Sequence, residues 1–144
     1  MMKQYVVGFA FNELADHVAL IQKNRPSWQA GRLNGLGGLV EAGETPAQAL
    51  TREYREEAGV LIPTEKWQQI AVARDEQVEV SYFRCFSDAI FKAKSCTDEE
   101  VKIYSVRDPA IRLHGLGDLP LLVSRGRARC LPAHILQLQT LRPK

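Results

Sequence analysis

The stretch from Gly38 to Val60, GLVEAGETPAQALTREYREEAGV, decides the fold because it carries the clearest helix signal in the chain. Thr45 is suited to the N-cap, the proline after it to the first helical position, and Gln48 to the third position of a capping box. Gly59 is the expected C-cap. The pattern therefore predicts a helix from about Pro46 to Ala58.

The side chains of this predicted helix divide into an apolar set and an acidic set. The apolar residues recur at spacings of three and four, which predicts a stripe facing the core, made of Ala47, Leu50, Tyr54 and Ala58. Three carboxylates lie beside that stripe, where like charges at helical spacing lower helix stability: Glu53, Glu56 and Glu57. Arg52 can reach Glu56, but one guanidinium cannot neutralise three glutamates. We therefore expect a cation, and oxygen donors without a nearby histidine or cysteine favour Mg²⁺ or Mn²⁺ over zinc.

The same stretch also resembles a known motif, which matters because an acidic cluster alone is usually just a solvated helix face. It is similar to the Nudix box, in which a glycine, five residues, a glutamate and seven residues precede Arg-Glu-U-x-Glu-Glu-x-Gly-U, U being bulky and apolar. All eight fixed positions are filled: Gly38, Glu44, Arg52, Glu53, Glu56, Glu57, Gly59 and Val60. The departure is Tyr54, at a position usually filled by an aliphatic residue. The chain thus resembles the Nudix superfamily, and most of all its oxidised-purine nucleoside triphosphatases.

The resemblance implies an enzyme that hydrolyses a pyrophosphate bond, with catalytic residues Arg52, Glu53, Glu56 and Glu57. The metal ligands it implies are Glu53, Glu56, Glu57 and the Gly37 carbonyl, while Arg52 orients a carboxylate. Glu53 is our first choice of general base, and a glutamate of the later loop Thr97–Glu100 is the other. From that loop we prefer Glu100 as an extra ligand, with Glu99 next, although an exposed turn explains the loop almost equally well. Glu44 suits a structural anchor at the helix N-terminus at least as well as catalysis.

The rest of the chain predicts a mixed sheet between helices. Its runs of β-branched and aromatic residues predict strands at Lys3–Phe11, His17–Lys23, Trp67–Arg74, Gln77–Phe86 and Val101–Val106. Asp118 is a candidate cap for a second helix from about Leu119 to Ala128. Asn24–Gly38 is rich in glycine and predicts an irregular segment, and the stretch from Cys130 suits either strand or helix. We expect an α+β fold with α/β/α layering, formed as one domain over residues 1–144.

The amino-acid composition is typical of a globular domain. The chain has 144 residues, 45% of them hydrophobic and 25% charged, with a formal net charge of +2, which is ordinary for a globular domain and too mild to require nucleic acid. Its three cysteines form no metal-ligand pattern and predict buried free thiols. Because neither a signal peptide nor a membrane-spanning stretch is evident, we expect a cytoplasmic protein, either monomer or homodimer.

The segment Arg32–Gly38, RLNGLGG, carries the substrate signal. It looks like the corresponding strand of the oxidised-purine enzymes, where the residue at the Asn34 position reads the base; a turn residue before Gly35 is an equal alternative. Trp28 could stack on a base or anchor a loop. Lys23 and Arg25 could meet phosphates or remain solvated.

Three functions remain open at this point. The first is hydrolysis of a nucleoside triphosphate, including an oxidised purine form, to the monophosphate and pyrophosphate. The second is hydrolysis of ADP-ribose, a dinucleoside polyphosphate or a capped RNA end; a short chain without a basic stripe argues mildly against long RNA. The third is a non-catalytic nucleotide sensor, which would have no need of a mutually repulsive glutamate set.

Overall fold

In a computed structural model of the chain, residues 2–130 and 134–138 are described. Within them the secondary structure runs in the order β1 (Lys3–Phe11), β2 (His17–Gln22), β3 (Leu33–Asn34), β4 (Leu36–Leu39), α1 (Pro46–Ala58), β5 (Gln68–Arg74), β6 (Val78–Phe86), β7 (Glu100–Ser105), α2 (Pro109–His114), α3 (Leu119–Arg127) and β8 (Leu136–Leu138). Short 3₁₀ turns lie at Ser27–Gln29, Thr64–Lys66 and Asp88–Lys92. None of the helices in this part of the chain is long and apolar enough to cross a membrane.

The strands form one mixed sheet in the order β3-β2-β1-β6-β5-β8, with β4 pairing to β1 and β7 to β2. Strand β1 is central: it runs parallel to β6 and antiparallel to β2 and β4. Strand β6 is buried on both faces, and even Ser81 is only 7% exposed.

Helices cover both faces of the sheet. Helix α1 packs on one face through a cluster that includes Leu50 and Tyr54, and α2 and α3 contribute Ile111 and Leu122 to a second cluster on the other face. The expected α+β fold with α/β/α layering is therefore confirmed.

Helix α1 forms as its local signals predict. The Thr45 hydroxyl accepts a hydrogen bond from the Gln48 amide, the Gln48 side chain accepts one from the Thr45 amide, and Gly59 ends the helix at φ 67°. The predicted apolar stripe faces the core, and Ala49 joins it.

Tyr54 shows why an aromatic residue suits its position in this chain. Its ring is buried, its hydroxyl donates to the Gly8 carbonyl at 2.7 Å, and it accepts from the Ala10 amide at 3.2 Å. A Cβ on Gly8 would lie 2.6 Å from the Leu50 side chain, so the glycine lets α1 approach the strand closely. The tyrosine thereby satisfies two β1 backbone groups while it packs in the core.

The structure corrects several expectations about the rest of the chain. Residues 33–39 are not irregular but form β3 and β4, because glycines permit unusually close strand packing: a Cβ on Gly37 would lie 1.9 Å from the Val6 carbonyl oxygen. Asp118 occupies the N-cap position of α3 without a side-chain capping bond. Helix α2, capped by Asp108, was not expected. Among the cysteines Cys85 is buried, whereas Cys96 and Cys130 are exposed, so the expectation of buried thiols was wrong for two of them.

Candidate active site

Glu57 is the most deeply buried of the three helix glutamates, at 8% exposure. Its carboxylate accepts a hydrogen bond from the Gly37 amide at 3.1 Å, and no other described residue bonds to it. Burial and, after it, the neighbouring charge of Glu53 together raise the pKa of Glu57 to about 8. A nearby cation would therefore stabilise the charged form of this buried carboxylate.

Glu53 lies one helical turn earlier and faces the next glycine of β4. A Cβ on Gly38 would lie 2.6 Å from a Glu53 carboxylate oxygen, so any residue larger than glycine would displace that carboxylate. Burial raises the pKa of Glu53; the nearby guanidinium of Arg52 lowers it, and repulsion from Glu56 raises it. Two acidic groups of α1 thus lie against two consecutive glycines of the strand.

Arg52 ties these groups to the loop before the helix. Its Nε and Nη2 donate to the two oxygens of Glu44 at 2.8 and 3.0 Å, and its Nη1 donates to Glu53 at 2.8 Å. Nη2 also donates to the Leu39 carbonyl at 3.0 Å, and Nη1 to Glu56 at 3.4 Å. Hydrogen bonding to Glu44 raises the pKa of Arg52 and lowers that of the Glu44 carboxyl. The main partner of Arg52 is therefore Glu44 and not Glu56, and Glu44 serves as the anchor.

The described acidic side chains do not converge closely enough to form a complete set of metal ligands. No group of three or more His, Cys, Asp or Glu side chains converges as a metal site within residues 2–130 and 134–138. Glu56 is the outermost member, with 56% of its side chain exposed. The donors nevertheless fit a hard divalent cation, because they are all oxygens and the buried Glu57 carboxylate has only an amide as its described partner.

The later acidic loop brings Glu99, and not Glu100, towards this site. Glu99 is 5% exposed and binds the Lys23 ammonium at 3.1 Å and the Asn24 amide at 2.7 Å. Burial would raise its pKa, but the Asn24 amide and Lys23 outweigh burial and hold that pKa below its ordinary value. The charge of Glu99 contributes to the raised pKa of Glu57. Glu100 is about half exposed and pairs with Lys102 at 3.2 Å, so the geometry reverses our order of preference.

A cleft of about 430 Å³ opens beside the acidic residues and is lined by Gly37 and Gly38. All four residues that the sequence suggested for substrate binding also line it: Lys23, Arg25, Trp28 and Asn34. Trp28 is 42% exposed, and Arg25 pairs with Asp98. A cavity of this size fits a nucleotide.

Two segments of the cleft lining carry the polar side chains Asn34 and Asp118. Asn34 accepts a hydrogen bond from the Gly35 amide at 2.8 Å, which is the turn role anticipated for it, and no described residue bonds to its side-chain nitrogen. Asp118 lines the same cleft, and its carboxylate makes no capping hydrogen bond to α3. The sequence suggested Asp118 only as a helix cap. It gave no indication that Tyr5, Tyr82 and Leu122 line the cleft, because only the tertiary fold brings these residues together.

Arg32 and a β-bridge between Leu33 and Gly115 join these two segments. The Arg32 guanidinium donates to the carbonyls of His114 and Gly115 at 3.3 and 2.6 Å. The Leu116 amide donates to the Leu33 carbonyl at 2.8 Å. Asn34 and Asp118 therefore lie on segments that are hydrogen-bonded to each other.

Solved structures with the same fold are similar to this chain at low sequence identity. A MutT structure from work on Aliivibrio salmonicida and Vibrio cholerae has a TM-score of 0.72 and 18% identity, covering 86% of this chain and 98% of that one. MutT from Bacillus halodurans gives 0.67 and 17%, with coverages of 96% and 90%. A MutT/nudix family protein from Enterococcus faecalis gives 0.60 and 22%, with coverages of 73% and 44%. A comparison with curated proteins finds no match.

The family itself follows from a broader match. The model of the NUDIX domain matches residues 2–120, which include the sheet around β1, helix α1 and the acidic loop. That span contains every residue of the acidic site described above. The chain therefore belongs to the Nudix family and is a pyrophosphohydrolase that acts on nucleoside diphosphate derivatives.

Proposed function

We propose that this enzyme hydrolyses a nucleoside triphosphate, including an oxidised purine form, to the monophosphate and pyrophosphate with Mg²⁺ as cofactor. The observation that carries the proposal is the position of Gly37 and Gly38. These residues contact the carboxylates of Glu57 and Glu53 on one side and line the nucleotide-sized cleft on the other. A nucleotide in the cleft would thus have its phosphates beside the acidic residues.

The metal ligands proposed are the carboxylates of Glu53, Glu56 and Glu57 and the carbonyl of Gly37, with Glu99 as the extra ligand in place of Glu100. Bound Mg²⁺, or Mn²⁺, would neutralise phosphate charge and lower the pKa of a water molecule. The oxygen donor set and the buried charge of Glu57 support this assignment.

The remaining groups position the reaction. Arg52 holds Glu53 through its Nη1 while Glu44 fixes the guanidinium, so Arg52 acts on the carboxylate and not on substrate. Glu53 is the proposed general base, because its raised pKa gives it a higher proton affinity than Glu99, whose pKa is lowered. Lys23 and Arg25 line the cleft as partners for phosphates, although each also pairs with an acidic residue.

Base recognition is assigned to Asn34 and Asp118, which both line the cleft. The Asn34 side-chain nitrogen offers a donor and the Asp118 carboxylate an acceptor, which together match the mixed edge of a purine. Trp28, exposed on the wall, offers a face for stacking. The alternative substrates are the purine-containing conjugates ADP-ribose, a dinucleoside polyphosphate and a capped RNA end, which the nucleotide panel below separates from a free nucleotide. We place the enzyme in the cytoplasm, as its composition predicts.

The test is a panel of nucleotides incubated with the enzyme and Mg²⁺, with the products separated and identified. We expect a nucleoside triphosphate to give monophosphate and pyrophosphate, and Glu56→Gln and Glu57→Gln to lower the rate by at least about 100-fold. Glu65→Gln, at an exposed position outside the site, is the matched control and should keep full activity. Faster turnover of ADP-ribose or a dinucleoside polyphosphate would contradict the substrate assignment. Nucleotide binding without any product would instead support the sensor function.

A further inference from the structure

A second cavity, of about 500 Å³, lies between the segment around α2 and helix α3. It shares no lining residue with the cleft of the active site, although α3 contributes Leu122 to that cleft and the adjacent Val123 to this cavity. The floor is apolar, with Ile111 and Val123 both buried. A cavity of this volume with an apolar floor suits a small molecule of nucleotide size.

Three arginines line this cavity, which we call the arginine cleft: Arg107, Arg112 and Arg127. Most arginines in the described residues bind a carboxylate or a backbone carbonyl. The guanidinium groups of four have no hydrogen-bond or ion-pair partner among the described residues, and the arginine cleft holds three of these four, the other being that of Arg55. Unpaired guanidinium groups collected in one concavity leave a strong positive charge without a counter-charge.

The single acidic residue of the cleft does not neutralise that charge. The Asp108 carboxylate accepts a hydrogen bond from the Ala110 amide at 2.9 Å as the cap of α2, and it pairs with none of the three arginines. Ser124 adds a hydroxyl to the lining. The three guanidinium groups and the hydroxyl match a multiply charged oxyanion, because each guanidinium can bind two phosphate oxygens at once.

We propose that the arginine cleft is a second binding site, separate from the active site, for a small phosphorylated molecule that carries a diphosphate. A small ligand fits better than nucleic acid because the cleft is a concavity of limited volume with buried apolar residues in its lining, and the chain as a whole carries a formal charge of only +2. Apolar walls, including Pro109 and Pro120, can cover the uncharged part of such a ligand. This site does not depend on which nucleotide the active site hydrolyses.

The experiment measures binding of inorganic pyrophosphate to the metal-free protein in buffer stripped of divalent ions. Without metal, the acidic active site repels the probe. In a ¹⁵N-labelled sample, pyrophosphate should shift the amide signals of α2 and α3, in a saturable way. The triple variant Arg107→Gln, Arg112→Gln, Arg127→Gln should weaken binding by at least about tenfold, since each lost guanidinium removes charge-assisted hydrogen bonds. It should still fold, because these side chains have no protein partner to lose.

The charge-matched control is Lys66→Gln, Lys92→Gln, Lys94→Gln, which removes three exposed cations elsewhere. This control should bind pyrophosphate as the unmodified protein does. Equal weakening in both triple variants would show diffuse attraction and overturn the site. Amide shifts confined to Gly37 and Gly38 would also overturn the site. The same holds if binding does not saturate up to about 10 mM pyrophosphate, the range expected of non-specific contacts. Tighter binding of a single-stranded RNA that depends on the same arginines would make the cleft a nucleic-acid surface and overturn the small-ligand proposal.

Discussion

Arg52 and Glu44 form a bidentate ion pair in which Nε and Nη2 of the guanidinium donate to separate carboxylate oxygens at 2.8 and 3.0 Å. The pair joins α1 to the loop that follows β4, because Glu44 also accepts from the Glu41 amide at 2.9 Å. Only the planar fork of arginine can hold both oxygens while a third nitrogen reaches Glu53. Two residues of the motif thus serve to position a third.

Replacing Arg52 by lysine should lower both stability and turnover, although the charge is kept. We expect Arg52→Lys and Glu44→Gln each to reduce the free energy of unfolding by about 1–3 kcal/mol, the worth of charge-assisted hydrogen bonds that are largely shielded from water. Urea denaturation of both variants and the double variant measures this. Because the two residues are paired, the double variant should lose clearly less than the sum. Arg55→Lys is the control on the same helix, and strict additivity would contradict the pairing.

Glu57→Gln should stabilise the metal-free protein while abolishing turnover. Burial raises the Glu57 pKa from about 4.5 to about 8, so the folded state binds this proton more tightly than the unfolded state. The charged carboxylate therefore destabilises the fold progressively as pH rises through that window, and the penalty is constant above it. We expect the variant to be more stable at pH 8 by an amount on the order of 4 kcal/mol, and nearly equal in stability below pH 4.5.

The measurement is urea denaturation across this pH range with divalent ions removed. Glu56→Gln is the comparison, because its side chain is more than half exposed and should give a smaller gain. A Glu57→Gln variant that is less stable than the parent at pH 8 would show that the carboxylate has a stabilising partner in the fold.

The two glycines of β4 should respond differently to alanine. At Gly37 the new Cβ would collide with the Val6 backbone, which cannot move, so Gly37→Ala should prevent stable strand pairing. At Gly38 the collision is with the Glu53 carboxylate, which can rotate away, so Gly38→Ala should keep the fold and lose at least about tenfold in kcat. Circular dichroism and turnover of both variants test the contrast. Full activity in Gly38→Ala would mean that the position of Glu53 is not critical.

Substitutions of Asn34 and Asp118 should change substrate preference more than phosphate chemistry. Asn34→Ala and Asp118→Asn remove the proposed donor and acceptor, and each should reduce discrimination between purine substrates by about 10-fold or more, the usual value of a lost base contact. The readout is kcat/KM for a panel of triphosphates. Gln29→Ala, at another residue of the cleft lining, should leave the ranking unchanged. If Asn34→Ala also leaves it unchanged, Asn34 does not contact the base.

The sequence by itself determined helix α1, its caps and its apolar stripe, because these depend on residues three and four positions apart. It also indicated the main strands and the acidic set, and the spacing of the motif identified the family before any contact was known. Thr45, Gln48 and Gly59 behave in the structure as their local chemistry requires.

Only the tertiary structure decided the contacts between residues distant in sequence. The choice of Glu99 over Glu100 rests on Lys23 and Asn24, more than 70 positions away, and the place of Asp118 in the cleft rests on the bridge between Leu33 and Gly115. The strands at residues 33–39 form because glycines let them approach β1, which the periodicity of their side chains does not show. Local patterns fix the direction of a side chain along its own element, but the partner of that side chain depends on which elements the sheet brings together.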